Sequence, residues 1–555
     1  MVNSIIFNKM KFLSAFRLNL KGRVNVLAAV AIFSFVLLPS GAISLGGAAS
    51  VSGGAGGGFG QGRTRWLAGD ILATTQKISF VHVADVHAHY NPVSGGSSPV
   101  ARLRGYFEQV RRENPYTILT NAGDDYEKGS IAEEISHGAA TREIVKAMQY
   151  DVRTIGNHDF AWGIDELMAF SRDPSAIVLA SNTKMTAGNA GGQSGRQPGW
   201  TDYAVLRVGQ VKIGFFALVS KPWNEKDEQY DGDFYPGMPE LRSDFNFVDI
   251  ARDIIAQHRG EVDLLVLVSH LGVEEDARLA RETQGIDLIL GGHTHAVMSE
   301  PLRVKDTAIV HAGANAENIG RFDIEYDLQK RCIRHSAFSL IPNREGETPV
   351  DEATDREVRK ILHDYQGALS EGFTRLSADQ SSGEMAMLAA RAAVEILEVD
   401  AAFVGLHAVR KEWRRGNLTR QDVFDAFPVE REPAGTPGFT SLYRLQVTGE
   451  DLARVKAAMP ESAYWGPATP EPEDVYTIAL QKAPAFHQRE YFGRWIGLSA
   501  PEPARELWDV LVRFASERNA DRLALDAGGP SGQSYRRAAA YEGGGGGLPG
   551  RVVVY

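Results

Sequence analysis

The sequence predicts an α/β fold with a largely buried sheet, on three observations. Short apolar runs alternate with amphipathic segments as far as about Asn343. Several of these runs are apolar at nearly every position, as strands covered on both faces are. Polar residues of one chemical kind then recur just past the ends of the runs.

The first run, Ile78-Ser79-Phe80-Val81-His82-Val83-Ala84, reads as a buried strand and delivers Asp85 and His87 at its end. Residues i and i+2 leave a strand on the same face, so both side chains can converge on one ion. A carboxylate beside an imidazole suits Zn²⁺, Mn²⁺ or Fe²⁺ better than an all-oxygen Ca²⁺ cage. Pro99 to Asn114 follows as a helix, with its proline in the first turn. The strand Tyr116 to Thr120 runs into Asn121-Ala122-Gly123-Asp124-Asp125, and a helix is expected over Thr141 to Gln149. Val152 to Ile155 is the next strand and ends in Gly156-Asn157-His158-Asp159. Further strands are expected at Ala176 to Ala180, Val211 to Val219, Val262 to Val268 and Ile286 to Leu290. His270 follows the third of these, and His293 and His295 follow the fourth.

Ligands of open α/β sheets gather beyond the carboxyl ends of strands. Asp85, His87, Asp124, Asn157, His270, His293 and His295 all stand at such places and are candidate metal ligands. Glycines before Asp124, Asn157 and His293 suit sharp turns there.

Composition narrows the function. The 555 residues suffice for more than one core, and 43% apolar with 23% charged residues is ordinary for a globular chain. A net charge of −11 argues against a nucleic-acid polymer as partner but leaves room for a small phosphate ester. The single cysteine, Cys332, excludes an internal disulfide framework and a cysteine-rich metal site. At the N-terminus, Lys9, Lys11, Arg17, Lys21 and Arg23 precede the apolar run Val24 to Leu38 and the small residues Ser40-Gly41-Ala42. Residues 1–45 therefore read as a secretory signal peptide, or as a membrane anchor if left uncleaved. Export to a periplasmic or extracellular space follows. Residues 46–75 read as a Gly-rich linker, 76–343 as the catalytic domain and 344–376 as a linking helix. A second domain is expected over 377–525 and a Gly-rich tail over 526–555.

Taken in order, Asp85-x-His87, Gly123-Asp124, Gly156-Asn157-His158-Asp159, His270 and Gly292-His293-Thr294-His295 resemble the five blocks of the calcineurin-like metallophosphoesterases. The spacing and the second domain most resemble the secreted 5′-nucleotidase branch, which includes UDP-sugar hydrolases and cyclic-nucleotide phosphodiesterases. The resemblance implies a two-sheet αββα sandwich followed by a smaller α+β C-terminal domain. It also implies two divalent metal ions, Mn, Zn, Fe or Co. One would take Asp85, His87, Asp124 and His295; the other would take Asp124, Asn157, His270 and His293, with Asp124 shared. A metal-activated hydroxide would attack phosphorus in line. His158 would stabilise the transition state or protonate the leaving oxygen, with Asp159 as its catalytic neighbour.

The branch commonly has a carboxylate three positions after this histidine. Here that position is Ala161, and Asp159, Asp125 and Asp165 are the candidate replacements. His89 fits a place near the metal loop, and Asn182 resembles an asparagine that lies near the substrate. In the second domain, Leu418 to Pro428 resembles the branch's helix-and-proline block. The substrate-reading pattern Asn-Gly-Gly-Gly-x-Arg is altered to Gly405-Leu406-His407-Ala408-Val409-Arg410, leaving Arg410 as the candidate substrate contact. Phe486, Tyr491 and Phe492 are candidates for stacking on a base.

The expected function is thus an exported two-metal phosphohydrolase acting on nucleotides. The alternatives are 2′,3′-cyclic nucleotides, a UDP-sugar pyrophosphate or a sulfur ester on the same site. A non-catalytic metal-binding surface protein is the reading from another class.

Overall fold

The computed structural model describes residues 74–92, 95–185, 198–220, 234–235, 238–429 and 440–519. The expected signal segment, nearly all of the linker and the Gly-rich tail lie outside the described residues. Among the described residues, no helix is long and apolar enough to cross a membrane.

The apolar runs form the middle strands of two six-stranded sheets. In the first sheet β1 (Thr75–Val83), β2 (Thr117–Asn121), β3 (Val152–Thr154) and β4 (Ile177–Leu179) are parallel neighbours. The second is built from β5 (Tyr203–Val208), β6 (Val211–Val219), β7 (Leu264–His270), β8 (Leu288–Gly291), β9 (Leu302–Val304) and β10 (Thr307–His311). Its order is β9-β10-β8-β7-β6-β5, with β6, β7, β8 and β10 parallel and the two outer strands antiparallel. Two long strands, β11 (Asn318–Asp327) and β12 (Cys332–Pro342), complete the first sheet as β12-β11-β1-β2-β3-β4.

Alternation along each strand decides what the sheets touch. Ile78 and Phe80 of β1 and Ile118 of β2 face Ile213 and Phe215 of β6 and Val266 of β7, forming one core between the sheets. The rings of Phe80 and Phe215 meet edge-on with centroids 6.4 Å apart. The intervening residues face outward: Val81 and Val83 pack under Leu103, Phe107 and Val110 of helix Pro99–Glu113. On the opposite side, Phe216, Leu265 and Leu267 lie under helices Phe247–His258 and Val273–Glu282. Each fully buried side chain of this size contributes about 1.5–3 kcal/mol. The result is a helix–sheet–sheet–helix sandwich.

Residues 372–519 build a second core of their own. The strand order of the sheet there is Ser462–Trp465, Ala401–Gly405, Val475–Gln481, Ser441–Thr448, Glu502–Glu506. Helices Ser382–Leu397 and Leu507–Asn519 cover one face, and helix Gly449–Ala458 covers the other. This part meets the sandwich through helix Arg420–Ala426, whose Phe424 packs with Val429, Ile131 and Ala368. Gln421 of that helix accepts a hydrogen bond from Ile131 N (2.9 Å) and donates one to Gly129 O (2.9 Å).

Candidate metal centre

Register brings the strand ends level. β1 and β2 pair from Ser79↔Thr117 to Val83↔Asn121, and β7 and β8 pair up to Ser269↔Gly291. Beyond the strands the main chain keeps pairing: Asp85 N donates to Gly123 O (2.8 Å) and His87 N to Asp124 O (2.9 Å). The chain then turns sharply. Asp85 (φ 53°), His87 (47°), Asp124 (58°), His293 (77°) and His295 (53°) all adopt the left-handed region. Side-chain-bearing residues avoid that region, and each such residue costs about 1 kcal/mol or more. Its concentration at one spot marks a place where the fold holds side chains to a fixed aim. The loops also crowd. A Cβ on Gly156 would lie 2.1 Å from Asp124 Oδ1, so only glycine lets the β3 end approach the β2 end.

The side chains then converge. Asp85, His87 and His295 form one group whose ligand atoms lie within 4.8 Å of one another; Asp124, His270 and His293 form a second. Asp124 Oδ2 stands 3.0 Å from His270 Nε2 and 3.8 Å from His87 Nε2, between the two groups. His295 Nε2 is 3.5 Å from Asp85 Oδ1 and 3.1 Å from His87 Nε2. Asn157 Oδ1 lies 3.2 Å from His270 Nε2. All seven expected ligands therefore meet in one cluster.

Backbone carbonyls set the histidine tautomers. Tyr126 O is 2.9 Å from His87 Nδ1, and Ala122 O is 2.6 Å from His270 Nδ1. With Nδ1–H donated outward, each Nε2 lone pair points into the cluster. Burial pushes the Asp85 carboxyl up to about 7 and holds the His87 ring well below its usual value. Burial would lower His270 as well, yet the carboxylates of Asp124 and Asp85 raise it by drawing a proton to Nε2, the place a divalent ion would take instead. Buried carboxylates and inward imidazole lone pairs at these spacings suit divalent first-row ions. The donor set fits that chemistry.

His158 has a partner that sequence reasoning did not find. Its Nδ1 contacts the carboxylate of Glu127, and its Nε2 lies 3.4 Å from Lys128 Nζ. Its backbone N–H donates to Asp124 Oδ1 (2.8 Å), and its ring meets the His87 ring at 4.9 Å. The three candidate replacements for the missing carboxylate stand elsewhere. Asp159 accepts hydrogen bonds from the N–H groups of Asp124 (3.0 Å), Asp125 (2.8 Å) and Gly156 (2.7 Å), clamping the β2 and β3 ends together. Burial and the neighbouring Asp125 and Asp124 push its carboxyl well above the usual range, against these amides. Asp125 Oδ1 accepts from Asn121 Nδ2 (2.8 Å), and Asp165 is exposed in the first turn of helix Gly163–Ser171. Glu127 (φ 72°) reaches His158 only because its loop takes the left-handed turn, so its proximity in sequence to Asp124 was the one available hint.

The remaining expectations divide. Asn182 is not brought into the cluster: its amide donates to Val219 O (2.9 Å) and Asp244 O (3.0 Å) and accepts from Val219 N (2.9 Å). Its amide thereby ties the loops after Val219 and before Asn246. His89 Nδ1 lies 3.2 Å from Val86 O, on the loop beside the cluster. Arg410 is exposed in the second domain, its backbone N–H donated to Ala426 O (2.9 Å). Of the three aromatics, Phe486 (44%) and Tyr491 (43%) are exposed, whereas Phe492 (6%) belongs to the core.

Comparison with known proteins fits this geometry. Residues 78–297 match the calcineurin-like phosphoesterase family. The human 5′-nucleotidase is 26% identical over 313 residues, covering 51% of this chain and 52% of that protein. The chain thus spans about half the length of the first curated relatives it matches. Among solved structures, a 5′-nucleotidase precursor of Thermus thermophilus superposes with a TM-score of 0.60 at 17% identity, covering 80% of this chain and 96% of that one. A sulfate thiohydrolase of Thermus thermophilus gives 0.56 at 16% identity, covering 79% and 94%. These two likenesses speak to the fold.

Proposed function

We propose that this chain, whose residues 78–297 form a calcineurin-like phosphoesterase domain, is an exported hydrolase of phosphate esters that takes nucleotides as substrates. The observation that carries the reading is the position of Asp124, whose Oδ2 faces His270 and His87 at once. One carboxylate placed in this way can serve two divalent ions. Asp85, His87, Asp124 and His295 would hold one; Asp124, Asn157, His270 and His293 would hold the other. When bound, such ions supply Lewis acidity, activating water at neutral pH and offsetting charge on the phosphoryl oxygens.

The chain's own residues orient the rest. Tyr126 O and Ala122 O fix which nitrogen of His87 and His270 faces the site. Asp159 keeps the Asp124 and Gly156 turns together, so the ligands arrive in place without reorganisation. His158, held at Nδ1 by Glu127, has its Nε2 beside Lys128 Nζ at 3.4 Å. In the neutral ring Nε2 carries no hydrogen, so a proton passed on to a leaving oxygen would first have to reach Nε2 from Lys128 Nζ or from water. The exposed rings of Phe486 and Tyr491 offer faces for a base, and Arg410 a cation for a second phosphate or a carboxylate. Export rests on the layout of residues 1–45.

A substrate panel tests the reading. The mature protein, chelated and then refilled with Mn²⁺, Zn²⁺ or Co²⁺, is assayed on AMP, cyclic AMP, UDP-glucose and an aryl phosphate. Metal-dependent release with preference for AMP is the expected result. Activity on the aryl ester alone removes the nucleotide assignment, and no metal-dependent release on any ester removes the hydrolase. The likeness to a sulfate thiohydrolase concerns the fold, so a sulfur ester in the same panel covers that alternative.

A further inference from the structure

The segment Glu127–Ile131 is held more tightly than a surface loop. Glu127 and Lys128 both sit in the left-handed region, at φ 72° and 78°. The next residue packs its bare backbone onto the loop that carries the cluster: a Cβ on Gly129 would lie 2.4 Å from His87 O and 2.5 Å from His89 N. Gln421, arriving from the second domain, grips Gly129 O and Ile131 N at 2.9 Å each. Ser130 Oγ donates to Asn91 Oδ1 at 2.9 Å. The backbone around Lys128 is therefore fixed by packing.

The side chain reaches the histidine that adjoins the cluster. Lys128 Nζ lies 3.4 Å from His158 Nε2. Glu127, an acceptor when ionised, takes the Nδ1–H of His158, so Nε2 of the neutral ring is an acceptor and Lys128 is the donor. An ammonium has three N–H bonds, and one contact with His158 leaves two for another partner. Among the described residues no carboxylate forms an ion pair with Lys128.

We propose that Lys128 contacts the substrate's phosphoryl group and selects dianionic phosphate monoesters over monoanionic diesters. The inference rests on the hydrolase reading and adds a residue that sets its preference among esters. A monoester carries about −1.5 to −2 charges near neutral pH, because its second ionisation falls near 6. A diester carries a single charge and lacks the extra anionic oxygen. A fixed cation on the side of His158, in addition to any ions held by the seven ligands, favours the more highly charged group.

The test uses the metal-refilled full chain with an aryl phosphate monoester and the corresponding bis-aryl diester, which share a leaving group. Lys128→Met is expected to lower kcat/KM for the monoester about 100-fold, the scale of one lost oxyanion contact, and the diester less than about threefold. Lys128→Arg, which keeps the charge, recovers most of the monoester rate. Calorimetric titration with inorganic phosphate reads the contact without turnover, and Lys128→Met is expected to weaken it about tenfold. Equal losses on both esters, or no loss on either, overturn the proposal, as does unchanged phosphate binding. A wild-type protein that binds phosphate but cleaves neither ester refutes the hydrolase reading instead, and the phosphate titration of the variant then decides the role of Lys128.

Discussion

The ligand loops of the sandwich and the exposed aromatic surface of the second domain are built on opposite terms. Asp85, His87, Asp124 and His270 are buried, the first three adopt left-handed backbone, and the rings of His87 and His270 are pinned by main-chain carbonyls. Phe486 and Tyr491 stand on the short helices Lys482–Phe486 and Gln488–Phe492 with over 40% of their surface exposed. Chemistry that needs several groups within 4 Å of one point demands a rigid frame, and the two sheets supply it. Recognition of a flat base asks only for an open ring face, which tolerates a changing sequence. The difference teaches that a rigid centre and an open surface ask different things of a chain, a fixed side-chain aim in one and exposed ring area in the other.

That contrast is open to attack, beginning with its strongest member. Asp124→Asn is expected to cut turnover at least about 10³-fold, since it alters a ligand rather than an outer partner, whose loss costs about 10- to 100-fold. Metal content of the variant, read by elemental analysis, is expected to fall with it. Near-normal rates in Asp124→Asn would remove the shared-carboxylate assignment. Next comes Glu127→Gln, which keeps size but weakens the hold on His158. Its kcat on AMP is expected to fall about 100-fold, and much less on an aryl phosphate whose leaving group needs little protonation. Equal losses on both substrates would show that Glu127 supports the loop rather than the departing oxygen. The smallest effect belongs to the second domain. Phe486→Ala with Tyr491→Ala is expected to raise KM for AMP about tenfold, within the ~1–3 kcal/mol of a base–aromatic stack. The aryl phosphate is unaffected if the two surfaces are independent, so a loss there too would break the comparison.

What was legible in the chain followed the same division. The strands β1, β2, β6 and β7 announced themselves because both faces are covered, and a run such as Leu264–Val268 has no polar member. Asp85, His87 and the others stood out because a ligand must follow its strand end directly. The long antiparallel pair β11 and β12 escaped notice: β12 alternates half-buried and exposed residues and carries charge, as edge strands do. Glu127 could not be read because its value lies in a backbone turn rather than in a spacing. Gln421 meets Gly129 across 292 positions, a contact that no local pattern encodes. The loop-tying bonds of Asn182 were equally illegible, since an amide at a strand end serves a tie between loops as readily as a ligand.

The clamp made by Asp159 has a consequence in time rather than in space. One carboxylate grips the amides of Asp124, Asp125 and Gly156, so the ends of β2 and β3 cannot breathe separately. Solvent reaches all three amides only when that single side chain lets go, and they share one clock. An ion held by Asp124 would then depend, for its release, on a residue that does not touch it.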